Sequence, residues 1–591
     1  MKPQDKIDDL RKLMHEYGID AWIVPSSDPH QSEYVADCWR TREWLSGFSG
    51  SAGIIVVTQE RVGLWTDSRY HIRAAQELAG SGIELFKVGL PGVPTYIKWL
   101  TAEIKSGAVV GLDGQVFSAA EVERLEKAFK DRSISIESQH DLVGKLWHDR
   151  PAVPMNPIYI LEDKFSGESR VAKISRIRDK IREEGAGAHL LASLDDIAWT
   201  LNIRGGDVSF NPVAICFLMI SLEDVRLFIH AEKVPHDVKA ALQADGIVIA
   251  EYEELYPYLQ RLASQMIVLI DPEKTNYKIK QMIAENSKIK PGPCIPEGFK
   301  AIKNNTELAG IRSAHLRDGI AMVRWLYWLD QQNSLTAHTE ITIAEKLAEL
   351  RSMGEYYQGL SFGTISAYQA NGAIGHYAPR PETAAALQPE GVLVIDSGGQ
   401  YLDGTTDITR TICLGPPSAE QKLAFTAVLR SHIMLAAAIF PKGTQGGQLD
   451  AVAKKPLWQQ GFECRHGIGH GIGHFLNVHE GPQRFSKRNT VPIELGMVTT
   501  NEPGVYFEGK FGIRIENVII TVPHATTEFG VFYGFETATC CPINIDLIEI
   551  PLLSTGEKAW LNVYHQTVYE KLAPFLTPEE KVWLGNVTRQ I

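Results

Sequence analysis

Two aspartates, a glycine-spaced run of histidines and two glutamates stand out in the C-terminal half as oxygen and nitrogen donors of the kind divalent cations prefer. Asp396 ends the apolar run Val392-Leu-Val-Ile, and a charge at the end of a buried strand is costly unless something pairs with it. Asp407 follows within Gly404-Thr-Thr-Asp-Ile-Thr-Arg-Thr. The histidines lie in His466-Gly-Ile-Gly-His470-Gly-Ile-Gly-His474, where the glycines disfavour a helix and let backbone approach closely. Glu502 stands in Asn501-Glu-Pro-Gly, and Arg514 and Glu516 alternate with Ile513 and Ile515, which places the charged pair on one face of a strand.

Taken singly, each of these has a plain alternative. The aspartates suit turns or caps, the histidine run suits a surface tract, and the Arg514/Glu516 face suits solvent. Asp403 is expected to be a turn or capping residue. Together, two Asp, one His and two Glu carried on successive predicted strands make an economical cage for two divalent ions.

The elements that must position them follow from periodicity and turn chemistry. The turn Ser397-Gly-Gly predicts a hairpin that brings Asp396 and Asp407 to one sheet face. Upstream, Leu308, Ile311, Ala314, Ile320, Val323, Leu326 and Leu329 form a helical stripe, and a second helix carries Ile343, Leu347 and Leu350 after a cap at Thr339.

The N-terminal half reads as α/β. A helix with Ile7, Leu10, Leu13 and Met14 on one face precedes an apolar strand at 21–24, with further turn-bounded strand signals near 54–57 and 62–67. Pro-bearing connectors at 150–157 and 290–296 divide the chain into expected domains at 1–150, 151–298 and 299–591. Within the second, the order repeats: a charged helix over 169–184, an apolar run at 189–192, and a strand over 213–220. That recurrence predicts a duplication of the first domain, the alternative being two unrelated α/β domains.

Composition narrows the classes. Hydrophobic residues at 44% and charged residues at 22% are those of a globular protein with cores, not a disordered one. A formal charge of -12 offers no field for gathering phosphates, so nucleic acid is not expected as a partner. The start, MKPQDKIDDL, lacks the apolar run of a secretory signal, and no stretch approaches the roughly 20 apolar residues of a membrane span, so a cytoplasmic location is expected. Seven scattered cysteines, with Cys540 and Cys541 adjacent, lack metal-site spacing and are expected to be reduced.

The order Asp396, Asp407, His470, Glu502, Glu516, in these local contexts, resembles the pita-bread metallopeptidases: methionine aminopeptidase, prolidase and aminopeptidase P. Gly375-His376-Tyr-Ala-Pro, the spaced His466 and His470, and Asn477-Val-His479-Glu-Gly-Pro resemble aminopeptidase P. So do His30-Gln-Ser-Glu-Tyr, Ser46-Gly-Phe-Ser-Gly-Ser-Ala-Gly, Trp65-Thr-Asp-Ser-Arg-Tyr and Leu201-Asn-Ile-Arg-Gly-Gly-Asp, which are similar to the long, three-domain subgroup.

That resemblance implies two creatinase-like N-terminal α/β domains followed by a pita-bread catalytic domain, in an α/β (α+β) class. It implies an aminopeptidase that releases the first residue of peptides with proline second, by attack of a hydroxide held between two divalent ions, manganese being the expected metal. The five residues Asp396, Asp407, His470, Glu502 and Glu516 would be the ligands. Glu502 would also carry a proton, His376 and His479 would donate to the carbonyl oxygen, His466 would lie near the proline, and Arg514 would orient the ligands. A homodimer is implied as well. The rival readings are an Xaa-Pro dipeptidase, a creatinase-like hydrolase, which has the fold without the metal ligands this sequence retains, and a non-catalytic pita-bread binding module. His474 and the extension beyond about residue 540 have no role in this resemblance.

Overall fold

The structure, a computed structural model, describes residues 2–591. The chain forms two compact units, one made of Met1–Leu161 with Glu168–Pro296, the other of Glu162–Gly167 with Glu297–Ile591. No helix among the described residues is long and apolar enough to cross a membrane. All seven cysteines are free.

The first unit holds two six-stranded sheets. One runs in the order Glu84–Lys87, Val62–Thr66, Ile54–Thr58, Ala21–Pro25, Val109–Leu112, Ser135–Glu137; the other in the order Ile247–Ala250, Val225–Phe228, Phe217–Ser221, Ala188–Leu191, Ile267–Ile270, Lys288–Pro291. Position by position, the pairings have the same sense: an antiparallel centre with parallel strands added at both ends. Helices cover both faces, which is why the central strands are buried end to end rather than alternating. The opening helix Pro3–Glu16 lays Ile7, Leu10 and Met14 on the first sheet.

One expected strand is shorter than its apolar run. Residues 213–216 are as buried as the strand Phe217–Ser221 but make no ladder. Their backbone is bound instead by Asp207: its main chain N–H donates to the Val213 carbonyl, and its carboxylate accepts from the Ile215 N–H at 2.8 Å and from Lys233 Nζ at 2.7 Å. A buried ion pair took the hydrogen bonds that a sheet neighbour would have used.

The second unit carries two three-stranded sheets, a six-stranded sheet and the two-stranded hairpin Gly504–Phe507/Phe511–Arg514. Helix Asn305–Asp330 starts at an Asn304/Glu307 capping box, and helix Glu340–Ser352 starts at Thr339, whose hydroxyl accepts from the Thr342 N–H. Both pack beneath the small sheets, and helices Ala419–Ala436 and Gly446–Gln459 form a second pair. Helices Thr555–Leu572 and Pro578–Val587 close the chain, with Leu561, Tyr564, Val568, Leu572 and Leu584 sharing one core with Ile513, Ile515 and Ile519.

The hairpin expected at Ser397-Gly-Gly is not there. Strand Val392–Ser397 does pair antiparallel with Ile408–Cys413, with Asp396 opposite Thr409, but the chain between them first makes the small hairpin Gly399–Tyr401/Gly404–Thr405. Its turn falls at Leu402 and Asp403. Asp403 is more than a turn residue, since its carboxylate pairs with Arg317 on the long helix.

Candidate metal centre

Four of the five candidate donors sit at or beside a strand end, and His470 sits within a short strand, so that each side chain is held by a neighbouring ladder. Asp396 is the last residue but one of Val392–Ser397, and Asp407 immediately precedes Ile408–Cys413. His470 is the middle of Gly469–Gly471. Glu502 follows Val498–Asn501 and is anchored by its own N–H, which donates to the Ile468 carbonyl at 2.8 Å. Glu516 lies between Phe511–Arg514 and Asn517–Thr527, with its N–H on the Thr409 carbonyl at 3.1 Å.

The glycines beside His470 have a physical reason. A Cβ on Gly469 would strike the Thr500 carbonyl oxygen, so only glycine lets this strand lie flat against its neighbour. Likewise Gly512 presses its backbone on Gly372, which sets the turn Gln369–Ala373 and the His376 segment after it beside the Arg514 strand.

Asp407, His470 and Glu516 bring ligand atoms within 4.8 Å of one another. His470 Nδ1 donates to the Gly471 carbonyl at 2.8 Å, which fixes the tautomer and leaves the Nε2 lone pair pointing into the site. Asp407 Oδ2 lies 3.5 Å and Glu502 Oε1 3.7 Å from that nitrogen, farther than a charge-assisted hydrogen bond would hold them. Three electron-rich atoms thus face one point. One oxygen each of Asp396 and Asp407 is buried with no hydrogen-bond partner, a costly state in the absence of a ligand. These donors fit divalent cations.

The electrostatics agree. Burial pushes the Glu516 carboxyl well above the usual carboxylate range, and the charges of Asp407 and Asp396 add to the shift. Burial also raises Asp407, to about 6, against the pull of His479. Asp396 is raised by burial and pulled back by Arg514.

Without a cation, then, the native state holds protons that the unfolded chain releases above pH ~4. Between there and pH 6 the folded form binds more protons than the unfolded one, so the stability of the metal-free protein falls as pH rises. A bound cation removes that loss. The gap in melting temperature between metal-loaded and chelator-treated protein should therefore widen from pH 5 to pH 7.5; a gap that is constant or narrows would contradict the assignment.

Arg514 ties the cluster together. Its Nη2 donates to Asp396 Oδ2 at 2.6 Å, its Nε to the Thr409 hydroxyl at 3.2 Å, and its Nη1 to the Tyr506 hydroxyl at 2.7 Å. Thr409 in turn donates to Glu516 Oε2 at 2.8 Å. Both faces of this strand are buried, Ile513 and Ile515 in the core and Arg514 and Glu516 toward the carboxylates, so the solvent-exposed alternative does not hold.

The histidines divide. His479 packs edge-on against His470, with ring centroids 4.3 Å apart. His466 joins the site through Tyr506, whose hydroxyl lies 3.0 Å from its Nε2. His376 is half-buried on its own segment, and His474 is buried near the end of the glycine run.

Two residues that sequence reasoning passed over complete this wall. Tyr506 bridges His466 and Arg514, and alternation along the Gly504–Phe507 strand would have put it on the Arg514 face. Glu340, fully buried, accepts from the Tyr368 N–H at 2.6 Å, the Asn371 amide at 3.0 Å, the Tyr377 hydroxyl at 2.8 Å and the Ala385 N–H at 2.8 Å. It moulds the loop that carries His376, and nothing in its local sequence marks it.

Known proteins match along the whole length. The description Metallopeptidase family M24 covers residues 309–523, Creatinase/Prolidase N-terminal domain covers 6–143 and again 149–307, and the C-terminal region of peptidase M24 covers 531–591. Aminopeptidase P2 of Arabidopsis thaliana is 39% identical over 99% of this chain and 88% of its own. The chain belongs to the M24 metallopeptidases, in the Xaa-Pro aminopeptidase P group. Xaa-Pro aminopeptidase 1 of Dictyostelium discoideum is 39% identical over 98% of this chain and 95% of its own. The X-prolyl aminopeptidase of Caenorhabditis elegans, described as a cytosolic enzyme with a di-nuclear active site, superposes with a TM-score of 0.95 at 36% identity over the full length of both chains. The M24 fold expected from the sequence, creatinase-type N-terminal domains before a pita-bread domain, is the fold of this chain.

Proposed function

We propose that this M24 protein removes the N-terminal residue from peptides with proline in the second position, using two divalent ions held by Asp396, Asp407, His470, Glu502 and Glu516. The observation that carries the reading is the convergence of Asp407, His470 and Glu516 on one point, with Glu502 beside His470 and Asp396 beside Arg514. Manganese is the proposed metal, since carboxylate-rich ligation suits it.

Bound there, the ions would supply Lewis-acid polarisation of the scissile carbonyl and make water acidic enough to attack near neutral pH. The protein's own groups do the rest. Glu502, the least buried of the four carboxylates, takes a proton from the attacking water and passes it to the proline nitrogen as the C–N bond breaks. His376 and His479 donate hydrogen bonds to the carbonyl oxygen as it gains negative charge. Arg514 holds Asp396 in place, and His466, fixed by Tyr506, lines the space for the proline ring.

The proline preference has a motive in the substrate. An Xaa-Pro bond has no N–H and its proline φ is fixed, so a site shaped for the ring can accept what extended-backbone readers cannot. We propose further that the protein acts in the cytoplasm as a homodimer, without nucleic-acid or membrane partners. The domains 1–150, 151–298 and 299–591 are proposed as its working parts, the first two arising by duplication; the shared strand order of the two N-terminal sheets supports this.

Purified protein with added manganese should release arginine from Arg-Pro-Pro and not from Arg-Ala-Ala. Cleavage of Arg-Pro but not Arg-Pro-Pro would favour the dipeptidase reading. No release from any of them would remove the enzyme claim and leave the non-catalytic module.

A further inference from the structure

Arg410 is buried to 1% exposure, one residue along the strand from Thr409. Its guanidinium meets only neutral acceptors. Nε donates to the Pro542 carbonyl at 2.9 Å; Nη1 donates to the carbonyls of Thr409 at 2.9 Å and Glu516 at 2.8 Å. Nη2 reaches Asn517 Oδ1 at 2.8 Å, the Cys541 carbonyl at 2.8 Å and the Tyr564 hydroxyl at 3.0 Å. No carboxylate is among these partners.

A buried cation without a counter-ion is expensive, and a merely structural role would be served as well by an apolar side chain of similar volume. Two things offset the cost here. Every guanidinium donor is used, and the carboxylates clustered on the other side of the strand attract the charge through a medium of low dielectric.

The choice of acceptors is informative. The Glu516 N–H donates to the Thr409 carbonyl at 3.1 Å, and Arg410 Nη1 grips the carbonyls of both residues, so the crossing that aims Glu516 is clamped from behind. His432 does the same one strand over: Nδ1 donates to the Asn501 carbonyl at 3.1 Å, and Nε2 accepts from the Asn517 amide at 3.1 Å. Asn501 precedes Glu502 and Asn517 follows Glu516. Burial and the nearby Arg410 keep that imidazole neutral, with its pKa down to about 3, as its acceptor role requires.

The other half of the Arg410 cage comes from the last part of the chain. Cys541 and Pro542 supply carbonyls, and Tyr564, on helix Thr555–Leu572, supplies the hydroxyl, which itself donates to the Cys541 carbonyl at 2.8 Å. A lysine, one nitrogen on a flexible stem, could not reach these acceptors and the Thr409/Glu516 crossing together.

We propose that Arg410 is a positioning residue for Glu516, and that the C-terminal segment 541–564 belongs, through Arg410, to the metal centre. This rests on Glu516 being a metal ligand, and the test separates the two claims. Full-length wild type, Arg410→Lys and Tyr564→Phe are stripped with chelator and titrated with Co²⁺, following heat and the visible absorption bands, which report ligand geometry. Steady-state kinetics on Arg-Pro-Pro follow at saturating metal.

Arg410→Lys should weaken Co²⁺ binding about 10- to 100-fold and shift the bands, with kcat falling and KM little changed. Tyr564→Phe should do the same more mildly, by about 2- to 10-fold in affinity, as loss of one hydrogen bond predicts. Wild-type affinity and bands in a folded Arg410→Lys protein overturn the proposal. If that variant does not fold, Tyr564→Phe decides in the same way. A wild type that takes up no Co²⁺ removes the metal-centre reading itself, and this inference with it.

Discussion

Asp407→Asn should give a folded protein that retains no divalent metal after purification and cleaves Arg-Pro-Pro at least about 10³-fold more slowly, because the hydrolytic water owes its acidity to the ions. The substitution changes almost no volume. What it changes is the donor: in place of a second carboxylate oxygen, an amide NH₂ can face the Nε2 lone pair of His470, now 3.5 Å from Asp407 Oδ2. That amide would satisfy the histidine internally and close the point on which Asp407, His470 and Glu516 converge. The same change relieves crowding among buried anions. Since burial raises Asp407 to about 6, its ionisation works against folding at pH 7.5 when no cation is bound. The variant should accordingly melt higher than chelator-treated wild type and show no further rise on adding manganese. Metal analysis with melting curves checks both; a variant that keeps a full metal complement would refute the assignment of Asp407.

Much of this site is readable from residue order because its donors interrupt apolar runs. Val392-Leu-Val-Ile ending in Asp396, and Ile513 and Ile515 flanking Arg514, announce carboxylates and a guanidinium forced into a buried place, and burial of charge calls for a partner. The helices were readable for a similar reason, since Thr339 and Ser169 are side-chain caps followed by helical periodicity. What stayed hidden depends on partners far apart in the chain. The turn after Ser397 looks complete locally, yet the chain there extends into a further small hairpin whose partner strand, Tyr357–Leu360, lies about forty residues earlier. The strand at 213–216 was lost to Asp207 and Lys233, an ion pair that no periodicity reports. Glu340 and Arg410 are the clearest cases. Half of the Glu340 partners and four of the six Arg410 partners are backbone groups, which every residue possesses, so the type of the neighbouring residues carries little signal.

Glu502→Gln should separate proton transfer from ligation. Glu502 is half-buried where Asp396, Asp407 and Glu516 are buried, so it is the carboxylate that water can reach from outside the cluster. Its main chain is fixed by the hydrogen bond to Ile468, and its Oε1 stands 3.7 Å from His470 Nε2, next to the point where the other donors meet. Glutamine keeps the length and one carbonyl oxygen able to bind a cation but cannot take up or release a proton near neutral pH. If the shuttle belongs to Glu502, kcat on Arg-Pro-Pro falls by about 10²- to 10⁴-fold, the usual contribution of positioned acid–base catalysis. KM should change by no more than a few-fold, and metal should be retained far better than in Asp407→Asn. Should Glu502→Gln keep more than about a tenth of wild-type kcat, the proton must travel by another route, and the edge-on His479 beside His470 would be the residue to examine.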